Sequence, residues 1–459
     1  GPWRVGRSIW PWFLIHGVLV HGGYWAAFPI GATNDSPGYL EMIPKVFAGE
    51  PGYFPVGYSL FLKCFSGVPL EHWGLVVTAV QHVLVLLVSG ITLHLSVVCG
   101  LSRHLALGGT LIGASSLATL SMSQAVMSDI FGAMSTLIPL GLLWGWRRTG
   151  IVSGLAGGVL AGVVLAVGAL ARVTPLPAAI VGLIPLVLGR SAPVRPRAAL
   201  ACIAVAVAIV GGVVVRNGTV SGKYALSTST WRHLYNHVVH AHRLLNLQGQ
   251  ATQSVVQALG ADPRDMPHWE FVDRLDKAGW PYEVTQSALK HITLEAYASA
   301  PLSDHVFFTL ELGWRNLSTD PEHSSGWFPT PGASSPRFVS PWVLGLNGSG
   351  LGWRTMMQNW QAASWFWIVA AGLLGSVFGL ILAAQRRLVL AMVAMPLVYV
   401  LASSAVEYEL PRYSLPTALT WPVLAMWLLE LPLRGVRWGR RRGSPAPVGG
   451  EDIRVVVGA

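Results

Sequence analysis

The feature that most constrains this chain is a succession of long apolar runs. They lie near 8–29, 75–99, 105–123, 129–146, 151–171, 175–189, 198–215, 362–384, 388–406 and 414–433. A hydrocarbon core about 30 Å thick is crossed by roughly 17–25 helical residues, so these runs read as membrane spans. The run at 175–189 is short and carries Pro175 and Pro177. Composition agrees: only 11% of residues are charged, against about 25% in soluble domains. Too little charge is present to coat a soluble globule, so lipid must face much of the surface. The 20 tryptophans suit a surface where apolar and wet environments meet. The expected fold is an all-α polytopic membrane protein of about ten transmembrane helices.

Arginine sets the orientation. Arg4 and Arg7 precede the first run, and alternate loops carry Arg103, Arg147 and Arg148, Arg190, Arg195 and Arg197, then Arg386 and Arg387. The C-terminal segment adds Arg434, Arg437, Arg440, Arg441 and Arg442, whereas the opposite short loops hold Lys45, Lys63, Arg172 and Arg412. This bias predicts both termini in the cytoplasm of a plasma (inner) membrane protein. It also explains the net charge of +10 without a nucleic-acid partner. The first run has no small-residue cleavage site and reads as a retained helix rather than a signal peptide. Four units follow: a seven-span module over 1–215 with an outer loop at 30–74, an outer domain over 216–361, a three-span module over 362–442, and a disordered cytoplasmic tail over 443–459. Within the outer domain, Asp262 to Ala278 and Tyr282 to Ala300 are helix-capable, and Gly, Ser and Pro clusters across 324–350 read as loops. Cys64, Cys99 and Cys202 are widely spaced and suggest neither a disulfide framework nor a zinc site. The Arg-over-Lys bias and the abundance of Ala, Gly and Val suggest a GC-rich bacterial genome.

The outer face holds the candidate chemistry. Asp35 follows the first span and reads equally as a functional carboxylate or as the cap of a helix starting at Ser36 or Pro37. Asp129 heads the fourth span, where the helix dipole alone accounts for an acid. Arg172 and Arg412 are cations on a face otherwise poor in positive charge. Each suits a phosphate, an ion pair with Glu407 or Glu409, or lipid phosphate. His233 and His237 are four apart, a spacing that suits a metal, although a surface histidine face is the simpler reading. His16, His21 and His94 lie inside spans and read as neutral, hydrogen-bonded core residues. The triplets at Asn217, Asn316 and Asn347 are sequons of little weight.

In order, these pieces resemble the GT-C superfamily of membrane glycosyltransferases. That family includes protein O-mannosyltransferases, lipid A aminoarabinose transferases and actinobacterial envelope mannosyl- and arabinosyltransferases. The family pattern is an acid after the first span, then two membrane-parallel helices joined by a Pro-Pro-Tyr-like turn. Here these are Asp35, the stretches 36–48 and 58–65, and Pro55-Val56-Gly57-Tyr58. Asp129 matches a second outer acid, Arg172-Val173-Thr174-Pro175 an Arg-Pro-Thr-like step, and Arg412-Tyr413-x-x-Pro416 a terminal Arg-Tyr-x-x-Pro. The resemblance implies an inverting enzyme that takes a sugar from a polyprenyl-phosphate donor to an envelope lipid, glycan or protein. In it Asp35 is the general base, Asp129 positions the acceptor or assists the base, and Arg172 or Arg412 meets the leaving phosphate. Tyr39, Tyr53, Tyr58, Glu407 and Tyr413 would contact substrate. No cofactor is implied and no divalent metal is indicated. The alternatives are a transporter or flippase of lipid-linked glycan, which requires ionisable residues at mid-membrane, or a polymer ligase.

Overall fold

The computed structural model describes residues 9–28, 30, 35–145, 151–188, 194–318, 349–406 and 415–433, with only the backbone of 151–153 and 349–358. Arg4, Arg7, Arg147, Arg148, Arg190, Asn347, Glu407, Arg412, Tyr413, the C-terminal arginines and the tail lie outside them.

Among the described residues the protein is a membrane protein built of helices, with no β-strand. Helix α1 (Trp10–Gly17) passes through a π-helical turn (Val18–Gly22) into α2 (Gly23–Ala27). Two short helices follow, α3 (Ser36–Met42) and α4 (Val56–Lys63). Next come α5 (Leu70–Cys99), α6 (Arg103–Ala114), α7 (Leu117–Gln124), α8 (Asp129–Gly145), α9 (Ile151–Ala171), α10 (Pro175–Val187) and α11 (Pro196–Ser221). The segment expected to form the outer domain holds α12 (Thr230–Tyr235) with a π-helical extension (Asn236–Ala241), α13 (Gln250–Leu259), α14 (His268–Lys277), α15 (Tyr282–Ala298) and α16 (Leu302–Ser318). The chain ends in α17 (Ser349–Leu382), α18 (Arg386–Ser404) and α19 (Leu415–Ala425), with a further helical stretch at 427–433.

Every apolar run of the sequence coincides with helix, but the helices are not uniform. Five are long and apolar enough to cross a membrane: α5, α11 and α18, and the stretches Gly154–Ala171 and Asn359–Leu382. The run at 105–123 is α6 and α7, bent by 49°. The cause is local: Ser116 leaves the helix with extended backbone, and its hydroxyl caps α7 by accepting from the Thr119 amide at 3.3 Å. Helices α8 and α10 are apolar but shorter, and each contains an internal proline, Pro139 and Pro185.

Glycines at a spacing of four let spans approach closely. A Cβ on Gly162 of α9 would sit 2.5 Å from the Cys202 carbonyl oxygen of α11, and Gly158 meets Ala198 one turn away. Gly109 and Gly113 of α6 do the same against Val423 and Ala418 of α19. This is close small-residue packing, which replaces the hydrophobic effect where the solvent is itself apolar.

The bundle has two ends. At one, the Ala384 amide donates to the Cys99 carbonyl at 2.9 Å, Arg387 donates to the Leu188 carbonyl at 2.6 Å, and the Ser102 amide donates to Glu430 at 2.9 Å. At the other, Ser36 bonds the Val126 carbonyl, and Asn316 bonds Ser404. The loops that the arginine pattern groups on one side therefore meet at one end.

The outer domain has its own core, centred on Tyr235, Val238, Val255, Phe271, Leu275, Leu289 and Ile292. The stretches read as helix-capable are α14, preceded by a 3-10 turn at Pro263–Asp265, and α15. The first outer loop docks on this domain. The Thr228 amide donates to the Gly52 carbonyl at 2.7 Å, and Arg216 bonds the Phe47 carbonyl.

Candidate active site

Helix α3 begins at Ser36, with Pro37 in its first turn, so Asp35 occupies the N-cap position. Its carboxylate makes no capping hydrogen bond. The cap reading is thus corrected: the backbone there is helical, with φ −80° and ψ −24°, whereas a side-chain cap requires non-helical backbone. Asp35 is half-buried.

The helix that Asp35 heads is pinned to the loop before α8. Ser36 donates to the Val126 carbonyl at 2.8 Å, and the Tyr39 hydroxyl shares a hydrogen bond of 2.7 Å with Ser128. Arg172 Nε donates to the same Ser128 Oγ at 3.1 Å, and Arg172 Nη2 lies 3.0 Å from Asp129 Oδ1. Asp129 is 2% exposed and Arg172 12%, so the pair is largely shielded from solvent. The alternative partners Glu407 and Glu409 lie outside the described residues; among those described, Arg172 pairs with Asp129. Asp35, Asp129 and Arg172 all act electrostatically on the Tyr39 phenol. Burial pushes that phenol well above its ordinary value, with Arg172 opposing and the two acids reinforcing. Tyr39 is therefore held protonated.

Two aromatic assignments are corrected. Tyr39 is 2% exposed, with one ring face against Phe54 at 4.5 Å and the edge of Tyr58 at 4.9 Å. Tyr58 is fully buried and donates to Gln81 Oε1 at 2.7 Å. Neither ring offers a face to a sugar in this conformation; both pack the loop. Tyr53 points to the outer domain, with its hydroxyl 3.2 Å from His268 Nε2 and the Arg232 guanidinium 5.1 Å over its ring.

A polar scaffold missed in the sequence supports this cluster. Gln81 of α5 donates to the Ser123 and Ala125 carbonyls at 2.9 and 2.8 Å, fixing the segment that ends in Ser128 and Asp129. Its neighbour His82 lies 2.9 Å from Gln124 Oε1, and Gln124 donates to the Phe28 carbonyl at 2.8 Å. His21 meets His82 at 2.9 Å, and His16 meets Ser115 at 2.8 Å. The available signal was the polar pair Gln81-His82 inside an apolar run.

The histidine run is not a surface face. His237 is 2% exposed, and the π-helical extension turns it toward Phe308. Among the described residues, no group of three or more His, Cys, Asp or Glu is arranged to hold a metal ion. The sequon asparagines Asn217 and Asn316 are buried within helices.

No protein-family profile and no curated protein matches the chain. Solved structures similar to it include the archaeal oligosaccharyltransferase AglB from Archaeoglobus fulgidus, in complex with an inhibitory peptide and a dolichol-phosphate. That match has 12% identity and a TM-score of 0.42, over 96% of this chain. The chain spans 52% of that protein's length. Also similar is ArnT from Cupriavidus metallidurans bound to undecaprenyl phosphate, at 11% identity and a TM-score of 0.34, over 96% of this chain and 82% of that one.

Proposed function

We propose that this chain is an inverting GT-C-type glycosyltransferase. It would move a sugar from a polyprenyl-phosphate donor to an envelope lipid, glycan or protein on the outer face of a bacterial inner membrane. The observation that carries the reading is the convergence at one end of the bundle. Asp35, at the head of α3, shares the surroundings of the Tyr39 hydroxyl with Asp129 and Arg172. Those elements lie far apart in sequence, and the tertiary fold joins them.

In the reaction, Asp35 removes the proton from an acceptor hydroxyl. The hydroxyl oxygen attacks the anomeric carbon, the bond from that carbon to the phosphate oxygen breaks, and polyprenyl phosphate leaves with the electron pair. One base without a covalent intermediate inverts the anomeric centre. Arg172 and Arg412 stabilise the charge growing on the leaving phosphate. Asp129 fixes the Arg172 guanidinium and so sets where that charge is met. Tyr53, at the junction with the outer domain, and Glu407 and Tyr413 contribute to substrate binding.

Asp35→Asn tests the reading. Sugar transfer is assayed from a panel of synthetic polyprenyl-phosphate donors to envelope lipid, glycan and peptide acceptors, with thermal unfolding measured alongside. Transfer should fall by about 10²–10⁴. The unfolding temperature should hold, because Asn keeps the size and most of the hydrogen-bonding capacity of Asp. Near-wild-type transfer would overturn the base assignment.

A further inference from the structure

Helix α16 presents three faces instead of two. His305, Leu312 and Asn316 are buried against the protein, and at the C-terminal end of the apolar side Gly313 and Leu317 are buried as well. Asp304, Glu311 and Arg315 form a charged row, with Arg315 paired to Glu311 four residues earlier. The third face is apolar and exposed: Leu302 69%, Val306 50%, Phe307 72%, Leu310 51% and Trp314 47%. At 3.6 residues per turn these five fall on one side of the helix, about a third of a turn from the charged row.

The position of α16 says what covers that face. Asn316 Nδ2 donates to Ser404 Oγ of α18 at 2.8 Å, and Trp365 Nε1 of α17 donates to the Leu317 carbonyl at 2.9 Å. Gly313 lies against Leu401, with a Cβ there only 2.6 Å from Leu401 Cδ2. Helix α18 starts at Arg386, at the arginine-bearing end, and rises 1.5 Å per residue, so Leu401 stands ~22 Å above that end. A hydrocarbon core is ~30 Å thick. With Arg386 at the edge of the slab, the C-terminal half of α16 would sit within it, in the half nearest the candidate active site. Helix α17 likewise exposes apolar side chains, Trp367 and Leu374 among them.

We infer that α16 is an interfacial helix whose Leu302–Trp314 face is seated against phospholipid acyl chains, anchoring the outer domain in the leaflet beside the site. The inference rests on the membrane reading alone and is independent of the glycosyl-transfer proposal. A face of aromatic and aliphatic residues bounded by a charged row is the pattern of a helix lying in the membrane interface. The proposed outer domain over 216–361 would thus hold a membrane element of its own. Its helices α12 to α15 would be fixed in height over Asp35, not merely tethered by α11 and α17.

The test uses the full chain reconstituted in phosphatidylcholine–phosphatidylglycerol vesicles. Cys64, the exposed cysteine, is replaced by serine; Cys99 and Cys202 are buried. Single cysteines are introduced by Phe307→Cys, Leu310→Cys and Glu311→Cys and labelled with an environment-sensitive fluorophore. Quenching by doxyl-labelled lipid is compared with quenching by iodide on both sides of the membrane. The labels at 307 and 310 should be quenched several-fold more by doxyl lipid than by iodide, and the label at 311 the reverse. Dominant iodide quenching at 307 and 310 would place the face in water and overturn the inference. Protection from both quenchers would also overturn it, because protein would then cover the face.

Discussion

Two residues at the site illustrate how a buried charge is tolerated. Asp129 and Arg172 are both shielded from solvent, and each makes the other's burial possible. Removing one partner of such a pair leaves an uncompensated charge, at a cost of about 3–5 kcal/mol. Arg172→Met should therefore lower the thermal unfolding temperature strongly, whatever it does to transfer; an unchanged unfolding temperature would show that the pair does not hold α8 to α9. Ser128 is a milder case. Its hydroxyl serves both Tyr39 and Arg172, and Ser128→Ala leaves a fully buried phenol short of a partner, typically costing ~1–3 kcal/mol. The same unfolding measurement checks it, and Tyr39→Phe in the Ser128→Ala background should recover part of the loss.

Elements meet where side chains are smallest. Gly57 of α4 lies so close to α9 that a Cβ would sit 2.5 Å from the Ala171 amide nitrogen, which is backbone and cannot turn aside. Gly57→Ala should therefore push α4 off α9, with an overpacking cost of about 1–3 kcal/mol. Because Ser59 of α4 donates to the Tyr39 carbonyl at 2.9 Å, the displacement reaches the helix that Asp35 heads. The expected outcome is reduced transfer with an intact Asp35; full activity would mean that α4 does not position the site. The junction between first loop and outer domain responds instead to pH. His268 accepts from Asn236 Nδ2 at Nδ1, 2.8 Å away, while its own amide donates to Asn236 Oδ1 at 2.8 Å, which fixes the amide's orientation. A proton on Nδ1 would face that amide's donor. Burial, with His233 and Arg232 beside it, pushes His268 from 6.5 down to about 3. His237 is lowered to about 4 by burial, with His242 and His305 adding to it. Below pH ~6.5 the unfolded chain binds these protons and the folded one does not, so each histidine removes up to about 1.4 kcal/mol per pH unit. The stability is complete above that pH and should fall as pH drops toward 3–4. Unfolding temperatures across pH 4–8 check this, and His268→Gln should flatten part of the slope.

At the scale of the whole molecule, the bundle is polarised. One end gathers Arg103, Arg195, Arg386 and Arg387; the other gathers Asp35, Asp129 and the outer domain. In a Cys64→Ser background, a membrane-impermeant thiol reagent added from outside the cell should label Ser254→Cys in α13 and leave Arg386→Cys unlabelled. The reverse pattern would invert the topology and with it the side on which a donor is used.

Much of this was decided by sequence alone, because lipid imposes a one-dimensional rule. Runs such as 75–99 and 388–406 must be helical and buried in the bilayer regardless of what they touch, and arginine between them predicts alternation. The resemblance points to Asp35, Asp129 and Arg172 as candidates, each through its place beside a span. What they do together was not readable, since pairing depends on which spans lie side by side. For α8 and α9 that is set by close approach at Gly168, where a Cβ would meet Ser135, and close approach has no periodic signature stronger than composition. Tyr58 likewise resembled a substrate residue until the fold placed it beneath Tyr39 against Gln81. Helix α16 combines a buried side, a charged row and an exposed apolar side, and a single hydrophobic period cannot express that; which apolar residues are covered depends on the tertiary packing.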